Sequence, residues 1–259
     1  MADNFKERFS QAVKETETVV YSYLPEETGH QKTIFEAMNY SVKAGGKRLR
    51  PLLMREVYRL FGGNGPEIEP FMAAMEMIHT SSLIHDDLPC MDNDEYRRGK
   101  LTTWKAYGYD MAVLAGDALM IYAFETASKA FSMGADPAKV GRAIGILAEK
   151  TGIYGMIGGQ TVDVELTGKA VPREKLDFIY RLKTGALLEA SMMIGAVLAG
   201  ATVEEIKEVE TMASEVGLAF QIQDDILDVT STQEELGKPV LSDEKNEKTT
   251  YVTLEGLEK

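Results

Sequence analysis

Three aspartates at the end of an apolar helical run constrain the fold of this chain more than any other feature. The run, residues 71–82, places apolar side chains at three- and four-residue steps, which predicts a helix with one buried face. Because Pro89 disfavours helical geometry at the residue before it, we expect Asp86 and Asp87 to close the helix and Asp92 to fold back from the turn beyond. Carboxylates this crowded repel one another unless a cation lies among them. The pattern therefore indicates a helix that ends beside a bound positive charge.

A second acidic cluster repeats this arrangement late in the chain. The sequence QIQDDILD, residues 221–228, follows another apolar helical run and places Asp224 and Asp228 one turn apart on one helix face, with Asp225 beside them. A lone Asp-Asp pair is more typical of a solvated turn, but two apolar helices that both present carboxylates are costly to fold unless a shared charge lies between them. Oxygen ligands favour a hard ion, and magnesium fits best. The two clusters together predict a magnesium site.

Basic residues near the acidic clusters indicate phosphate groups. Arg97 and Arg98 follow the first cluster directly, and guanidinium groups suit the geometry of phosphate oxygens. Because magnesium is often held by one or two carboxylates together with substrate phosphates, the stretch predicts one half of a diphosphate site. The sequence AGGKRLRP, residues 44–51, sets basic side chains before a helix that Pro51 can open at its first position. Alone this turn is more typical of a solvated loop; beside two acidic clusters it indicates a cradle for a second phosphate-bearing substrate.

The remaining sequence predicts helices, without alternating strands, internal repeats or low-complexity tracts. We expect an all-α fold, a single domain over residues 1–259 built as a bundle of long helices around a central cavity. Gln160 and Asp163 lie on a helix that should be largely buried, where they would either hydrogen-bond inside the core or line a cavity. The polar residues 230–250 are numerous enough to act as a flap. Helical periods cover residues 5–24, 33–44, 51–63, 70–87, 102–129, 139–167, 172–184 and 204–228.

Composition and charge argue against several classes of protein. A net charge of −13, spread along the chain, argues against a nucleic-acid surface. The single cysteine, Cys90, rules out an internal disulfide and fits a reducing compartment. No signal peptide is visible at the N-terminus, so we expect a cytoplasmic protein. The most apolar stretch, residues 185–203, contains Glu189 and many small residues, which favours a buried helix over a membrane span.

These motifs resemble the trans-isoprenyl diphosphate synthases, the polyprenyl synthetase family that includes the bacterial and plastid-type farnesyl and geranylgeranyl diphosphate synthases. The resemblance covers nearly the full length and rests on GGKRLRP, IHTSSLIHDDLPCMDND, RRG, GGQTVD, Lys183 with Thr184, FQIQDDILD and GKPVLSD, in that order. It implies a prenyltransferase that condenses isopentenyl diphosphate head to tail with an allylic diphosphate such as dimethylallyl, geranyl or farnesyl diphosphate. It also implies a magnesium-dependent homodimer, and relatives that continue beyond Lys259.

The resemblance further implies roles for individual residues. Three magnesium ions would be held by the aspartates of both clusters, Asp86, Asp87, Asp92, Asp224, Asp225 and Asp228. Catalysis and binding of the allylic diphosphate would fall to Arg97, Lys183, Thr184 and Gln221, with Lys238 as a further ligand of that diphosphate. Isopentenyl diphosphate would be bound by Lys47, Arg50, His79 and Arg98. From the residues alone, His79 could equally be a satisfied core histidine.

Product length is expected to depend on the residues before the first aspartate. In relatives that make farnesyl diphosphate, a large aromatic residue five positions before that aspartate closes the cavity; here the position is Ser81, followed by Ser82. A tyrosine-sized side chain buries roughly 150–250 Å², so its replacement by serine leaves room for a longer chain. We therefore predict geranylgeranyl diphosphate over farnesyl diphosphate. Met77 and Ile78, earlier on the same helix, could supply a lower floor.

Three alternative functions stay open at this point. The first is a farnesyl diphosphate synthase, which differs only in product length. The second is a terpene cyclase, which needs no second diphosphate site and is therefore disfavoured by the GGKRLRP segment. The third is a non-catalytic partner subunit of the same fold, which would be expected to lose some aspartates, whereas all six are present.

Overall fold

The computed structural model describes residues 2–169, 171–231 and 249–256, and most of these residues are helical. The predicted all-α fold class is confirmed, while the single domain over residues 1–259 stays a prediction. The helices are α1 (Ala2–Ser22), α2 (Lys32–Val42), α3 (Leu49–Leu60), α4 (Glu69–Asp86), α5 (Thr103–Tyr107), α6 (Tyr109–Ser128), α7 (Pro137–Thr151), α8 (Met156–Leu166), α9 (Arg173–Ile179), α10 (Ala186–Ala199), α11 (Val203–Thr230) and α12 (Tyr251–Glu255). Short 3-10 helices cover Pro66–Ile68 and Lys129–Met133, a π-helix covers Tyr180–Gly185, and β1 (Tyr96–Arg97) pairs antiparallel with β2 (Lys100–Leu101).

Helix α4 lies at the centre of the core. The sequence predicted one buried face, but residues 70–78 are buried on every side because α1, α2, α3, α6 and α10 all pack around this helix. Phe71, Met75 and Ile78 are completely buried. A helix that is apolar all round belongs in a protein interior. The first aspartates therefore lie at the end of a central helix rather than a surface one.

Helix α10 is also buried throughout, from Ala186 to Leu198. By length and composition alone, two stretches, Tyr109–Met133 and Arg173–Ala199, could cross a membrane. In the second stretch, 78% of the most apolar window is buried inside the fold, as expected for a core helix. The predicted buried helix is confirmed, although it ends at Ala199, before the left-handed Gly200.

Two helices predicted as continuous are each divided. The one predicted over residues 102–129 breaks at Gly108, which has φ 97° and separates α5 from α6. The one predicted over residues 139–167 breaks between Thr151 and Met156, where Gly152 and Gly155 lie. Glycine weakens a helix interior and permits such backbone conformations. Apolar periodicity continues across both breaks, so it does not reveal them.

Helix α3 begins two residues earlier than predicted. Leu49, not Pro51, is its first residue, and Arg48 precedes it in the left-handed conformation with φ 49°. Gly45 and Gly46 also have positive φ, 91° and 136°. The segment therefore turns sharply before α3, because its backbone passes through left-handed geometry at several residues.

A π-helix replaces the predicted helix end at Thr184. Helix α9 continues through Tyr180–Gly185 into α10, and the widened turn carries Lys183 and Thr184. Such turns are frequent at functional sites. Helix α8 lies close against this turn, since a Cβ added to Gly159 would come within 2.3 Å of the backbone nitrogen of Lys183.

Gly159→Ala is expected to lower the free energy of unfolding by about 1–3 kcal/mol, because the new Cβ must push α8 away from the π-helix. Gly141→Ala in α7 is the matched control. Within the described part of the chain, no atom other than those of its chain neighbours and its own helix backbone lies within 4 Å of the Cβ that this substitution adds. The higher helix propensity of alanine should therefore stabilise the variant by about 0.5–1 kcal/mol. Urea unfolding compares the two variants, and equal stabilities would contradict the close approach.

Candidate active site

The first aspartate cluster lies where α4 ends. Asp86 is the last helical residue, and the chain turns back at once, since the backbone N–H of Asp92 donates to the carbonyl oxygen of Asp86 at 2.9 Å. The N–H of Asn93, which has φ 54°, donates to the carbonyl oxygen of Leu88 at 3.1 Å. The predicted return of Asp92 towards the end of the helix is confirmed.

Asp87 is held by Arg97 of the hairpin. Nε of Arg97 donates to the two carboxylate oxygens of Asp87 at 2.8 and 3.0 Å, and its Nη2 lies 2.6 Å from Oδ1. Only 3% of Asp87 is exposed. Burial raises the pKa of Asp87 to about 6, although Arg97 opposes the rise. This ion pair attaches the hairpin to the end of α4.

Helix α8 supplies partners to both Asp86 and the π-helix. Nε2 of Gln160 donates to Oδ1 of Asp86 at 2.7 Å, and Nζ of Lys183 donates to Oδ2 of Asp163 at 2.7 Å. Burial alone would lower the pKa of Lys183, but Asp86, Asp163 and Asp92 together raise it. Lys183 therefore remains an ammonium that faces the first cluster. The prediction that Gln160 and Asp163 lie on a largely buried helix is wrong, because only Met156 and Gly159 of α8 are buried. Both side chains form hydrogen bonds, but on a partly exposed helix.

The second cluster is part of a hydrogen-bonded network. Oγ1 of Thr184 donates to Oε1 of Gln221 at 2.8 Å, and Nε2 of Gln221 donates to Oδ1 of Asp225 at 3.2 Å. The other oxygen of Asp225 accepts from the hydroxyl of Tyr180 at 2.6 Å and from the backbone N–H of Tyr251 at 3.1 Å. Asp225 is 2% exposed. Its carboxylate therefore connects α11 to the π-helix through Tyr180 and to α12 through Tyr251.

A basic cavity of about 780 Å³ lies next to the second cluster, and Thr184, Gln221 and Asp224 contribute to its wall. Nη1 of Arg50 lies 3.3 Å from Nε2 of His79, and Arg98 donates to the carbonyl oxygen of Gly45. The structure brings together all four residues that the resemblance assigns to isopentenyl diphosphate, Lys47, Arg50, His79 and Arg98.

The electrostatics of the basic cavity suit an anion. Burial lowers the pKa of Arg50 to about 10. Burial and the neighbouring arginines hold the pKa of His79 well below its usual range, so its ring is neutral near pH 7. Among the described residues, no acceptor bonds to the buried Nε of Arg50. Because buried donors are nearly always bonded, an anion with several oxygens would complete this cavity.

A second, largely apolar cavity of about 770 Å³ adjoins the basic one. Its wall includes Val113 and Met120 of α6, Met156 of α8 and Leu187 of α10, with Asp86 at its polar end. Sequence patterns did not identify the α6 residues as part of a cavity, because apolar helix positions have the same spacing whether they face packed side chains or a cavity. The two cavities share wall residues, namely Arg50, His79, Leu83 and Thr184.

The residues predicted to control product length lie in different surroundings. Ser82 lines the apolar cavity, whereas Ser81, Met77 and Ile78 are completely buried within the packing around α4. The hydroxyl of Ser81 donates to the carbonyl oxygen of Ile78 at 2.7 Å. The role of Ser81 in product length stays a prediction, and the geometry favours Ser82 as the wall residue.

The contacts of the aspartates indicate which of them could hold a metal ion. In residues 2–169, 171–231 and 249–256, no three His, Cys, Asp or Glu side chains form a ready metal-binding group. Magnesium does not require one, since it commonly binds one or two carboxylates with waters and substrate phosphates. Carboxylates of partly exposed residues that line a cavity, or that lie next to one that does, fit such an ion. These residues are Asp86, Asp92 and Asp224, whereas Asp87, Asp225 and Asp228 are buried.

The last described helix, α12, packs against the site. The rings of Tyr180 and Tyr251 meet edge to face with centroids 5.2 Å apart, and the hydroxyl of Tyr251 donates to Asp177. Sequence reasoning missed both tyrosines, because neither belongs to a charged motif. Lys238 and most of the predicted flap, residues 230–250, lie outside the described residues.

Comparison with solved structures establishes the class of protein. A farnesyl/geranylfarnesyl diphosphate (FPP/GFPP) synthase from Zymomonas mobilis superposes with a TM-score of 0.86 at 36% identity, covering 100% of this chain and 87% of that one. A geranyltransferase from Helicobacter pylori, solved with magnesium and isoprenyl diphosphate, gives 0.85 at 33% identity, covering 97% of this chain and 84% of that one. This chain therefore has the all-α fold of these isoprenyl synthases.

Sequence comparison establishes the family. The sequence profile of polyprenyl synthetases matches residues 31–259, and this chain belongs to that family. The chloroplastic geranylgeranyl pyrophosphate synthase of Capsicum annuum is 50% identical over 227 residues, 87% of this chain and 61% of that enzyme. The farnesyl diphosphate synthase of Geobacillus stearothermophilus is 44% identical over 258 residues, 99% of this chain and 86% of that enzyme. This chain thus spans about three fifths of the plant relative.

Asp87 should make the free energy of unfolding depend on pH. The folded protein binds a proton at Asp87 more tightly than the unfolded chain does, so this contribution is greatest at low pH and is lost as pH rises through about 6. Between about pH 5 and pH 7 the loss is about 1 kcal/mol. Urea unfolding without added metal should show that Asp87→Asn lacks this fall. Asp94→Asn is the control, because it changes a neighbour of Arg97 whose side chain is 40% exposed, and it should keep the fall in the free energy of unfolding. If Asp87→Asn has the same pH profile as the unaltered protein, the raised pKa of Asp87 is contradicted.

Proposed function

We propose that this protein is a short-chain all-trans isoprenyl diphosphate synthase, which condenses isopentenyl diphosphate with allylic diphosphates. One observation carries the proposal: a basic cavity and an apolar cavity meet beside two aspartate clusters and share Arg50, His79 and Thr184. A diphosphate bound in polar surroundings and a prenyl chain in the apolar cavity would bring the reacting carbons to this junction. The Capsicum annuum and Geobacillus relatives, named as geranylgeranyl pyrophosphate and farnesyl diphosphate synthases, support the same reaction.

The basic cavity is proposed to bind isopentenyl diphosphate. Lys47, Arg50 and Arg98 supply positive charge to its wall, and guanidinium groups can bind two phosphate oxygens at once. Neutral His79 can donate one ring N–H without adding charge to a site that already holds several cations.

The allylic diphosphate is proposed to bind where Lys183 faces Asp86 and Asp92, with Asp224 nearby. Magnesium ions, when bound, would draw negative charge away from the diphosphate leaving group. Lys183 adds a fixed positive charge at the same place. Asp87 and Asp225 act indirectly, by holding Arg97 and Gln221. Three magnesium ions, direct coordination by all six aspartates and a role for Lys238 stay predictions.

The reaction breaks the carbon–oxygen bond of the allylic diphosphate and forms a carbon–carbon bond from the isopentenyl double bond, with a proton lost to the released diphosphate. The allylic cation must be kept from water, which the apolar walls formed by Val113, Met156 and Leu187 can do. The side-chain oxygens of Thr184 and Gln221 lie at the basic cavity, where fixed dipoles can stabilise developing positive charge.

Geranylgeranyl diphosphate is the proposed product, with farnesyl diphosphate as the alternative. The small side chain of Ser82 leaves the apolar cavity wide at that wall, and the pepper relative is named for the longer product. A terpene cyclase is less well supported, because the four grouped basic residues provide a second diphosphate site. A non-catalytic subunit is disfavoured by the retained aspartates.

A homodimer that pairs through α6 is also proposed. Leu114 and Ile121 lie two turns apart on α6 and are 54% and 70% exposed, so a second copy of the chain would remove them from water. Sedimentation velocity tests this assembly. A cytoplasmic location remains a proposal that rests on Cys90 being the single cysteine, and cell fractionation tests it.

Asp224→Asn is expected to reduce kcat/KM by about 100-fold or more, because it removes a carboxylate from the proposed metal and diphosphate site. The assay measures product from isopentenyl and dimethylallyl diphosphates with magnesium. Glu215→Gln removes the same charge from an exposed position of the same helix and should leave activity unchanged. Equal activity of both variants would contradict the assignment of Asp224, and no product from the unaltered protein would contradict the proposed reaction.

Ser82→Tyr is expected to shorten the product from geranylgeranyl to farnesyl diphosphate, because its ring would occupy the apolar cavity. Ser81→Tyr puts the same ring into closed packing, so it should lower the melting temperature, and the predicted role of Ser81 in product length requires that it shorten the product as well. Mass spectrometry of the dephosphorylated products and thermal unfolding compare the two variants. If Ser81→Tyr alone shortens the product, the chain grows along Ser81 and not along Ser82.

A further inference from the structure

Arg48 is a basic residue of the AGGKRLRP segment to which the proposed reaction gives no role. Its side chain is completely buried, and its backbone has φ 49°, a conformation that is uncommon outside glycine. It lies between Lys47 and Arg50 and, like them, contributes to the wall of the basic cavity, although its side chain has no exposed area. Burial of a charge and a left-handed backbone are both unfavourable, so strong contacts must hold Arg48 in place.

Acceptors from three helices surround the guanidinium of Arg48. Nη1 donates to Oε1 of Glu76 on α4 at 2.5 Å, and Nη2 donates to the carbonyl oxygen of Val42 on α2 at 2.8 Å. On α1, Nη2 donates to the hydroxyl of Tyr21 at 3.1 Å and Nε donates to Oε1 of Glu17 at 3.2 Å. Two carboxylates, one backbone carbonyl and one hydroxyl therefore accept hydrogen bonds from this one side chain.

The carboxylate of Glu76 attracts both arginines of the basic cavity, Arg50 and Arg98. Glu76 is 2% exposed, it contributes to the wall of the basic cavity, and it lies three residues before His79 on one face of α4. Burial lowers the pKa of Arg50 and of Arg98, and attraction to Glu76 opposes that effect at both. A Glu76 carboxylate released from Arg48 would pair with one of these arginines and cancel charge that a diphosphate needs.

We propose that Arg48 is a positioning residue, which occupies the carboxylate of Glu76 and thereby keeps Arg50 and Arg98 available to the diphosphate of isopentenyl diphosphate. The inference rests on the proposed function of the basic cavity. The same contacts fix the turn before α3, and so determine where Lys47 and Arg50 point. Arg48 acts through its neighbours and need not touch the substrate.

A purely structural ion pair makes a different prediction from a positioning role. If Arg48 and Glu76 only stabilise the fold, loss of both should harm substrate binding at least as much as loss of Arg48 alone. If Arg48 keeps Glu76 away from the ligand-binding arginines, removal of the Glu76 charge should restore binding in a chain that lacks Arg48. A double-mutant comparison separates the two cases.

Steady-state kinetics provide the test. In Arg48→Met, the KM for isopentenyl diphosphate should rise about tenfold or more, while the KM for the allylic diphosphate stays within about twofold. Adding Glu76→Gln to this chain should lower the raised KM by about threefold or more, because no carboxylate remains to pair with Arg50 or Arg98.

Arg55→Met is the matched control. Arg55 lies on α3, the helix that Arg48 directly precedes, its side chain is 11% exposed, and it forms ion pairs with Glu15 and Glu56. Its replacement should leave both KM values unchanged. Circular dichroism checks that each variant is folded. If Arg48→Met is not folded, Arg48→Lys replaces it in the test. Lysine keeps a positive charge beside Glu76, so the KM for isopentenyl diphosphate should rise by less than the tenfold expected for Arg48→Met.

Two results would overturn the proposal: a double variant whose KM for isopentenyl diphosphate is no lower than that of Arg48→Met, or equal rises in the KM of both substrates. Absence of product from the unaltered protein would count against the proposed function instead. Calorimetric titration with inorganic pyrophosphate, without metal, would then test Arg48 directly. Arg48→Met should bind this anion more weakly, and the double variant should recover binding.

Discussion

Balance of charge at the ends of α4 and α11 governs this structure. Residues 70–78 of α4 are buried, and the helix ends at Asp86, with Asp87 directly after it. Asp87 is paired with Arg97 of the hairpin, and on α11 Asp225 accepts hydrogen bonds from Tyr180 and other donors. Removal of one partner from a buried charge typically costs about 3–5 kcal/mol. The hairpin, the π-helix and α12 are therefore placed by the carboxylates as much as by the apolar core.

Adjacent aspartates lie in different surroundings because a helix turns by about 100° at each residue. Asp86 is partly exposed, accepts from Gln160 and borders the apolar cavity, whereas its neighbour Asp87 is buried against Arg97. On α11, Asp224 lines the basic cavity while Asp225 is enclosed by donors. In each pair one carboxylate can meet a ligand and the next fixes the groups around it.

Much of the fold could be predicted from the sequence, because helical periodicity and the spacing of charged residues are local properties. The all-α class, the two aspartate clusters and the return of Asp92 all depend on near neighbours in the chain. Which of Ser81 and Ser82 lines the apolar cavity could not be predicted from near neighbours, since it depends on how α4 is rotated against α6. The π-helix and the close approach at Gly159 depend in the same way on packing between distant segments.

The two glycines of AGGKRLRP show how such a distant dependence arises. Arg98 lies on a hairpin far along the chain, has φ 53°, and donates to the carbonyl oxygen of Gly45. A Cβ on Gly46 would lie 2.8 Å from the Arg98 guanidinium, and Gly46 has φ 136°, where side chains are strained. Because these glycines have no side chains, Arg98 of the hairpin can lie at the basic cavity beside Arg50 of the AGGKRLRP segment. Two motifs that look independent in the sequence therefore line one cavity, and a change at Gly46 would alter the position of Arg98.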